Sequence, residues 1–107
     1  MRCRGRYRWV RRVASDTDIG ELRQWEVVLV GPTDRPKWAI LLCPCGCGED
    51  IHVNLMRSHH PHWSMSCGRG NKVSFYPSLC MDRNRCGSHF FLIQGRVIWY
   101  DSIAEEL

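Results

Sequence analysis

Short runs of β-branched and aromatic residues recur along this chain at intervals of roughly ten residues, with turn-forming residues between them. In residues 51–55, apolar and polar side chains alternate with the period of two that is typical of a half-buried strand. The runs predicted as strands are residues 25–30, 37–42, 51–55, 63–66, 73–76, 90–93 and 96–99. Helical periodicity is scarce, apart from a predicted turn at the cap-like residues 15–18. The pattern therefore predicts a mainly β fold, a small single-domain antiparallel sheet or sandwich.

Two glycine-containing connections predict hairpins. Gln94-Gly95 separates two apolar runs by two residues, as in a tight antiparallel turn in which glycine adopts positive φ. Residues 68–71 are the second such connection. A chain of 107 residues without an internal repeat fits one domain. A core of this size is thin and favours stabilisation by a metal or by disulfides.

The net charge of +4 comes from the first twelve residues, which hold six of the fifteen basic residues and no acidic one. These arginines are Arg2, Arg4, Arg6, Arg8, Arg11 and Arg12. The rest of the chain has nine basic and eleven acidic residues. We predict an arginine-rich, solvated N-terminal arm over residues 1–18 and a zinc-binding β domain over residues 19–107. Such an arm can bind nucleic acid, but the extension without a nucleic-acid partner is the favoured interpretation.

No apolar run approaches the roughly 18–20 residues that cross a bilayer, and arginines interrupt any early signal-like stretch. We therefore expect a cytoplasmic chain with no membrane segment. In a reducing compartment, clustered cysteines bind metal more often than they form disulfides. The seven cysteines, an odd number, also leave at least one thiol outside any internal pairing.

Two cysteine-rich turns predict a zinc site. The first supplies Cys43, Cys45 and Cys47 with glycines between and after them, and the second is the Cys-x-x-His pair of Cys86 and His89. Zinc takes four such ligands, usually from separate turns. Which two or three of the first three cysteines bind stays open, as does the choice of zinc over iron, since thiolates accept both.

Histidines elsewhere in the chain offer other possibilities. His52, His59, His60 and His62 compete with His89 for the fourth ligand position, and the His-His-Pro-His run is able to bind a second metal. A histidine-rich loop is more often polar surface, which is the interpretation favoured here. Cys3, Cys67 and Cys80 have no partner at ligand spacing and are expected to be free thiols.

Three motifs in order resemble a family of small, zinc-ribbon-like bacterial proteins encoded beside ubiquitin-like conjugation genes. They are Cys-Pro-Cys-Gly-Cys-Gly at 43–48, Pro77-Ser78, and Cys-Gly-Ser-His-Phe-Phe at 86–91 followed by Gly-Arg-Val-Ile-Trp at 95–99. The likeness covers roughly residues 20–100. It implies the protease component of bacterial ubiquitination-like operons, a serine-type peptidase that cleaves a ubiquitin-like protein or conjugate at its C-terminal tail.

The resemblance requires a serine beside a general base, because a neutral hydroxyl is a poor nucleophile. Ser78 and Ser88 are the candidates, with Ser78 preferred because it follows Pro77 where a turn exposes it. His89 is the candidate base if cysteines supply the metal ligands. If His89 is a ligand, the base is another histidine or a zinc-bound water. Asp82 is the carboxylate able to complete a triad.

Two other functions compete with the peptidase. A non-catalytic zinc-binding module would present Trp63, Phe75 or Tyr76 to a protein of a ubiquitin-like conjugation system. A nucleic-acid binder would rely on the arginine arm and bind more weakly with added salt. Neither the substrate nor the oligomeric state follows from the sequence.

Overall fold

The computed structural model describes residues 5–82 and 84–100 as two packed β-sheets. The strands are β1 Trp9–Val13, β2 Glu26–Val30, β3 Trp38–Leu42, β4 Asp50–Asn54, β5 Ser64–Gly68, β6 Lys72–Cys80, β7 His89–Ile93 and β8 Arg96–Trp99. The first sheet has the order β1-β2-β3-β4 and the second β5-β6-β7-β8. Among the described strands, every pairing is antiparallel except that of β1 with β2, which is parallel. The mainly β prediction is therefore confirmed.

One apolar core lies between the two sheets. Val27, Leu41 and Val53 of the first sheet and Phe75 and Phe90 of the second belong to the same buried cluster. Burial of this apolar surface is the main favourable contribution that holds the sheets together. A smaller cluster covers the other face of the first sheet, where segment 19–22 packs onto β2 and β3.

Turn chemistry matches the predicted connections. Gln94 and Gly95 both have positive φ between β7 and β8, as a tight hairpin requires. Asn71 and Gly70 do the same between β5 and β6. The predicted helical turn is a short 3₁₀ helix at Asp16–Asp18, capped by the Ser15 side chain.

The predicted N-terminal arm requires correction. Residues 1–4 lie outside the described residues, but residues 5–18 are part of the fold, since β1 pairs with β2 along its whole length. Tyr7 is only 1% exposed, and its hydroxyl donates a hydrogen bond to the Leu42 carbonyl. The physical reason is alternation: between the arginines stand residues such as Tyr7 and Trp9, a period of two that is typical of a strand.

Arginines of this segment also have intramolecular partners. Arg11 pairs with the buried Glu26 at 3.1 Å and donates to the Ile19 carbonyl at 2.7 Å. Arg12 donates to the Thr33 carbonyl, and the Arg8 guanidinium lies 5.6 Å from the Trp9 ring centroid. These guanidinium groups stabilise the N-terminal part of the first sheet.

Candidate active site and metal centre

Ser78 lies on β6 within an irregularity of the strand between Phe75 and Leu79. Phe75 pairs with Leu92 and Leu79 with Phe90, so four steps along β6 correspond to two along β7. The extra residues of this bulge lie between Phe75 and Leu79, a stretch that includes Ser78, and a bulge changes the direction of side chains relative to a regular strand. Bulges of this kind are common beside functional sites.

The bulge brings the Ser78 hydroxyl to the imidazole of His89. Ser78 Oγ lies 2.7 Å from His89 Nε2, within hydrogen-bonding distance of the kind that joins a nucleophile to its base. The His89 ring also stacks on Tyr100, with ring centroids 4.4 Å apart and an interplanar angle of 11°. The imidazole is therefore held in place from two sides.

Ser88, the other candidate nucleophile, has a different environment. It is buried, and its Oγ lies 3.4 Å from Cys86 Sγ, on the side of the thiol cluster. Its carbonyl accepts a hydrogen bond from Met81 N. Because side chains alternate along an extended chain, Ser88 and His89 point to opposite sides.

Four of the predicted ligands converge on one point. Sulfur atoms of Cys43, Cys45, Cys47 and Cys86 all lie within 4.8 Å of one another. Cys43 Sγ is 3.4 Å from Cys45 Sγ and 3.7 Å from Cys86 Sγ. The three cysteines of the first turn and the one of the second thus form a single group that could hold a metal ion, and all four are free thiols.

Hydrogen bonds fix the two turns that supply these thiols. In the first turn, Cys43 N donates to the Glu49 carbonyl and Gly46 N to the Cys43 carbonyl. Gly46 has a φ of 88°, a region that favours glycine. In the second, Gly87 N donates to the Asp82 carbonyl, which closes the turn that presents Cys86.

The thiols differ in their tendency to ionise. Burial raises the pKa of Cys43 to about 12. Burial also acts to raise the pKa of Cys86, but hydrogen bonds with Ser88 and with the Cys43 and Cys47 side chains together outweigh it and lower that pKa to about 7. Burial and the nearby Cys43 and Cys45 raise the pKa of Tyr7. The cluster therefore has at least one thiol prone to form the thiolate that metals bind.

This donor set fits a four-thiolate metal site. With metal–sulfur bonds of about 2.3 Å, a tetrahedral arrangement places sulfurs about 3.8 Å apart. The observed separations of 3.4 and 3.7 Å lie close to that value. The structure does not bring His89 into this group, because its Nε2 contacts Ser78 instead.

Other residues singled out in the sequence lie elsewhere. His52 contacts Asp50, and His60 contacts His62 at 3.2 Å, but within the described residues no second group of three metal-binding side chains forms. Cys67 and Cys80 are exposed free thiols, and Cys3 lies outside the described residues. The Asp82 carboxylate accepts from Asn84 N at 2.9 Å, so it caps its own turn.

Trp63 and Tyr100 lie near the candidate site but belong to no motif recognised in the sequence. The Trp63 indole donates to the Ser78 carbonyl at 3.1 Å, and Tyr100 stacks on the His89 ring. Strand assignment places Trp63 just before β5 and Tyr100 just after β8. Only the sheet order, which brings both strand ends to this region, connects them with the candidate site.

Comparison with protein families adds a decisive observation. The model of a family described as bacterial ubiquitination-like system serine protease (BubE) matches residues 13–100. The chain belongs to this family. Its matched span includes all four clustered cysteines together with Ser78 and His89, so the resemblance carried by the three motifs is confirmed at the level of the BubE family.

Two further comparisons gave no match, one with curated proteins and one with solved structures. The BubE family description names a serine protease of a ubiquitination-like system and specifies neither substrate nor metal. No helix within residues 5–82 and 84–100 has both the length and the apolar character needed to cross a bilayer.

Proposed function

We propose that this chain is a serine peptidase that cleaves the C-terminal tail of a bacterial ubiquitin-like protein, with Ser78 as nucleophile and His89 as general base. The observation that carries the proposal is the 2.7 Å contact between Ser78 Oγ and His89 Nε2 in a BubE family member. Serine and histidine at this distance form the minimal unit of hydroxyl activation.

In the proposed reaction, His89 Nε2 accepts the hydroxyl proton while Ser78 Oγ attacks the scissile carbonyl. The protonated imidazole then donates that proton to the leaving amine, which gives an acyl-enzyme on Ser78. Water, deprotonated by His89, attacks the ester, and Ser78 leaves with its proton restored. Stacking on Tyr100 supports the imidazole in both protonation states.

Zinc is proposed as a structural metal held by Cys43, Cys45, Cys47 and Cys86. In that role it supplies a cross-link between the turn that follows β3 and the turn that precedes β7. The first turn follows a strand of one sheet and the second precedes a strand of the other, so the cross-link would stabilise the sandwich that carries Ser78 and His89. Small domains commonly need such a cross-link.

The substitution Ser78→Ala tests the assignment, with Ser88→Ala as the matched variant. We expect Ser78→Ala to abolish cleavage of the ubiquitin-like protein of the same system, measured by mass spectrometry, and to retain metal content. Ser88→Ala should retain cleavage, because its hydroxyl faces the thiols. Full cleavage by Ser78→Ala, or its loss only in Ser88→Ala, would refute the proposed nucleophile.

A further inference from the structure

A groove of about 940 Å³ lies close to the candidate nucleophile. One side is formed by the loop from Pro32 to Lys37 and the other by residues 55–58 and the start of β5. Trp63 lines this groove and also donates to the Ser78 carbonyl at 3.1 Å. One side chain therefore connects the groove to the residue proposed to react with substrate.

Main-chain and buried side-chain contacts fix the shape of the groove. Leu55 N donates to the Lys37 carbonyl at 2.9 Å, which joins its two sides. Asn54, only 7% exposed, donates to the carbonyls of His59 and Pro61 and so holds the turn after β4. Trp63 N donates to the Asn54 carbonyl. The groove is thus preformed, which lowers the entropic cost of binding.

The lining combines apolar surface with an excess of positive charge. Leu55, Trp63 and Met65 provide half-buried apolar surface. Three basic side chains line the groove, Arg35, Lys37 and Arg57, against one acidic residue, Asp34. In the part of the chain that the structure describes, none of these cations is paired with a carboxylate.

This charge is local, since residues 13–107 carry more acidic than basic residues. Unpaired cations beside apolar side chains complement a segment that carries both carboxylates and apolar residues. An edge strand lies next to them: β5 pairs only with β6 among the described strands, and its first residues line the groove. An extended peptide can add its main-chain hydrogen bonds to such an edge.

We propose that this groove binds an extended, acidic and apolar segment of the protein substrate and leads it to Ser78. The inference rests on the proposed peptidase function and adds the chemistry of the substrate segment. The cations around the groove favour carboxylates of the bound segment. The apolar lining accepts the apolar side chains that stand between those carboxylates. Trp63 is then the point at which the bound segment approaches the reacting serine.

Peptide binding tests the groove independently of catalysis. The probes are two fluorescent peptides of about ten residues, one alternating Glu and Leu and the other Lys and Leu, titrated into the full Ser78→Ala chain. We expect the acidic peptide to bind at least about tenfold more tightly, and the double substitution Arg35→Glu with Arg57→Glu to weaken it about tenfold. The matched control is Arg69→Glu, an exposed arginine at the other end of β5, which should change binding less than about twofold.

Equal binding of both peptides, or equal weakening by Arg69→Glu, would overturn the groove assignment. Tighter binding of a single-stranded oligonucleotide with the same charge as the acidic peptide would also overturn the groove assignment. In the active chain, the double substitution should raise KM for the ubiquitin-like protein about tenfold, whereas Arg69→Glu should change that KM less than about twofold. Cleavage that depends on Ser78 but is unchanged by the groove substitutions refutes the groove alone. Cleavage that survives Ser78→Ala refutes the proposed nucleophile, and with it the route from the groove to Ser78, even if the acidic peptide binds.

Discussion

His89 and Ser88 are neighbours in the chain, yet they contact different groups. His89 Nε2 lies 2.7 Å from Ser78 Oγ, whereas Ser88 Oγ lies 3.4 Å from Cys86 Sγ. Alternation along the extended chain directs the two side chains to opposite sides, so that His89 meets Ser78 and Ser88 meets the thiol cluster. A single histidine thus need not serve both as ligand and as base. Substitution of the proposed base should therefore leave the four thiols in place.

This separation predicts the behaviour of His89→Gln. Removal of the proposed base should lower kcat by at least about 100-fold, because proton transfer from Ser78 loses its acceptor. Metal content, measured by mass spectrometry of the native protein, should stay the same. His59→Gln, at an exposed histidine of the turn after β4, serves as control and should keep full activity. Loss of metal in His89→Gln would contradict the geometry described above.

At the level of elements, the two cysteine turns connect the sheets at one end of the core. Cys43 belongs to the core cluster, and Cys45 and Cys86 pack against it. A metal held there couples the end of β3 to the start of β7, and β7 carries His89. Metal binding should therefore stabilise the sandwich and the orientation of the candidate base together.

Cys86→Ser should abolish binding of one equivalent of metal and lower the thermal unfolding midpoint, since one of four ligands is lost. Cys67→Ser, at an exposed thiol on β5, should change neither the metal content nor the unfolding midpoint.

Metal affinity should also fall as pH decreases from about 8 to about 6, because protons compete for the thiolates. The lowered pKa of Cys86, about 7, means that its thiolate is lost in that range. Chelator competition at several pH values measures this, and an affinity independent of pH would contradict thiolate ligation.

Seven of the eight described strands were predictable because each has its own local signal. Residues 51–55 alternate, and Gln94-Gly95 encodes its own turn, so β4 and the β7–β8 hairpin follow from short-range rules. The bulge that contains Ser78 has no such signal, since it depends on the register between β6 and β7. That Cys43 and Cys86 lie close together could be predicted from the ligand preference of zinc. The contact between Ser78 and His89 could not, because it depends on the register between β6 and β7.

At the scale of the whole molecule, the N-terminal segment joins both sheets. Arg6 forms a bridge with Arg96 of β8, and Tyr7 N donates to the Gly95 carbonyl at 2.7 Å. A few residues later β1 pairs with β2 of the other sheet. The structure of this segment differs from the sequence prediction, because a segment rich in arginine is typical of a solvated arm. The prediction of an arm followed the charge composition alone, whereas the alternation of arginines with Tyr7 and Trp9 is the pattern of a strand.

Tyr7→Ala therefore tests whether this segment is structural. Its ring is buried and packs edge-on against Trp25 at 5.3 Å, so truncation removes core volume and the hydrogen bond to Leu42. We expect a loss of about 3–5 kcal/mol in the free energy of unfolding, measured by denaturant titration. Arg8→Ala, at an exposed neighbour, should cost less than about 0.5 kcal/mol. If Tyr7→Ala were as stable as Arg8→Ala, the segment would be dispensable, and the arginines would need a role outside the fold.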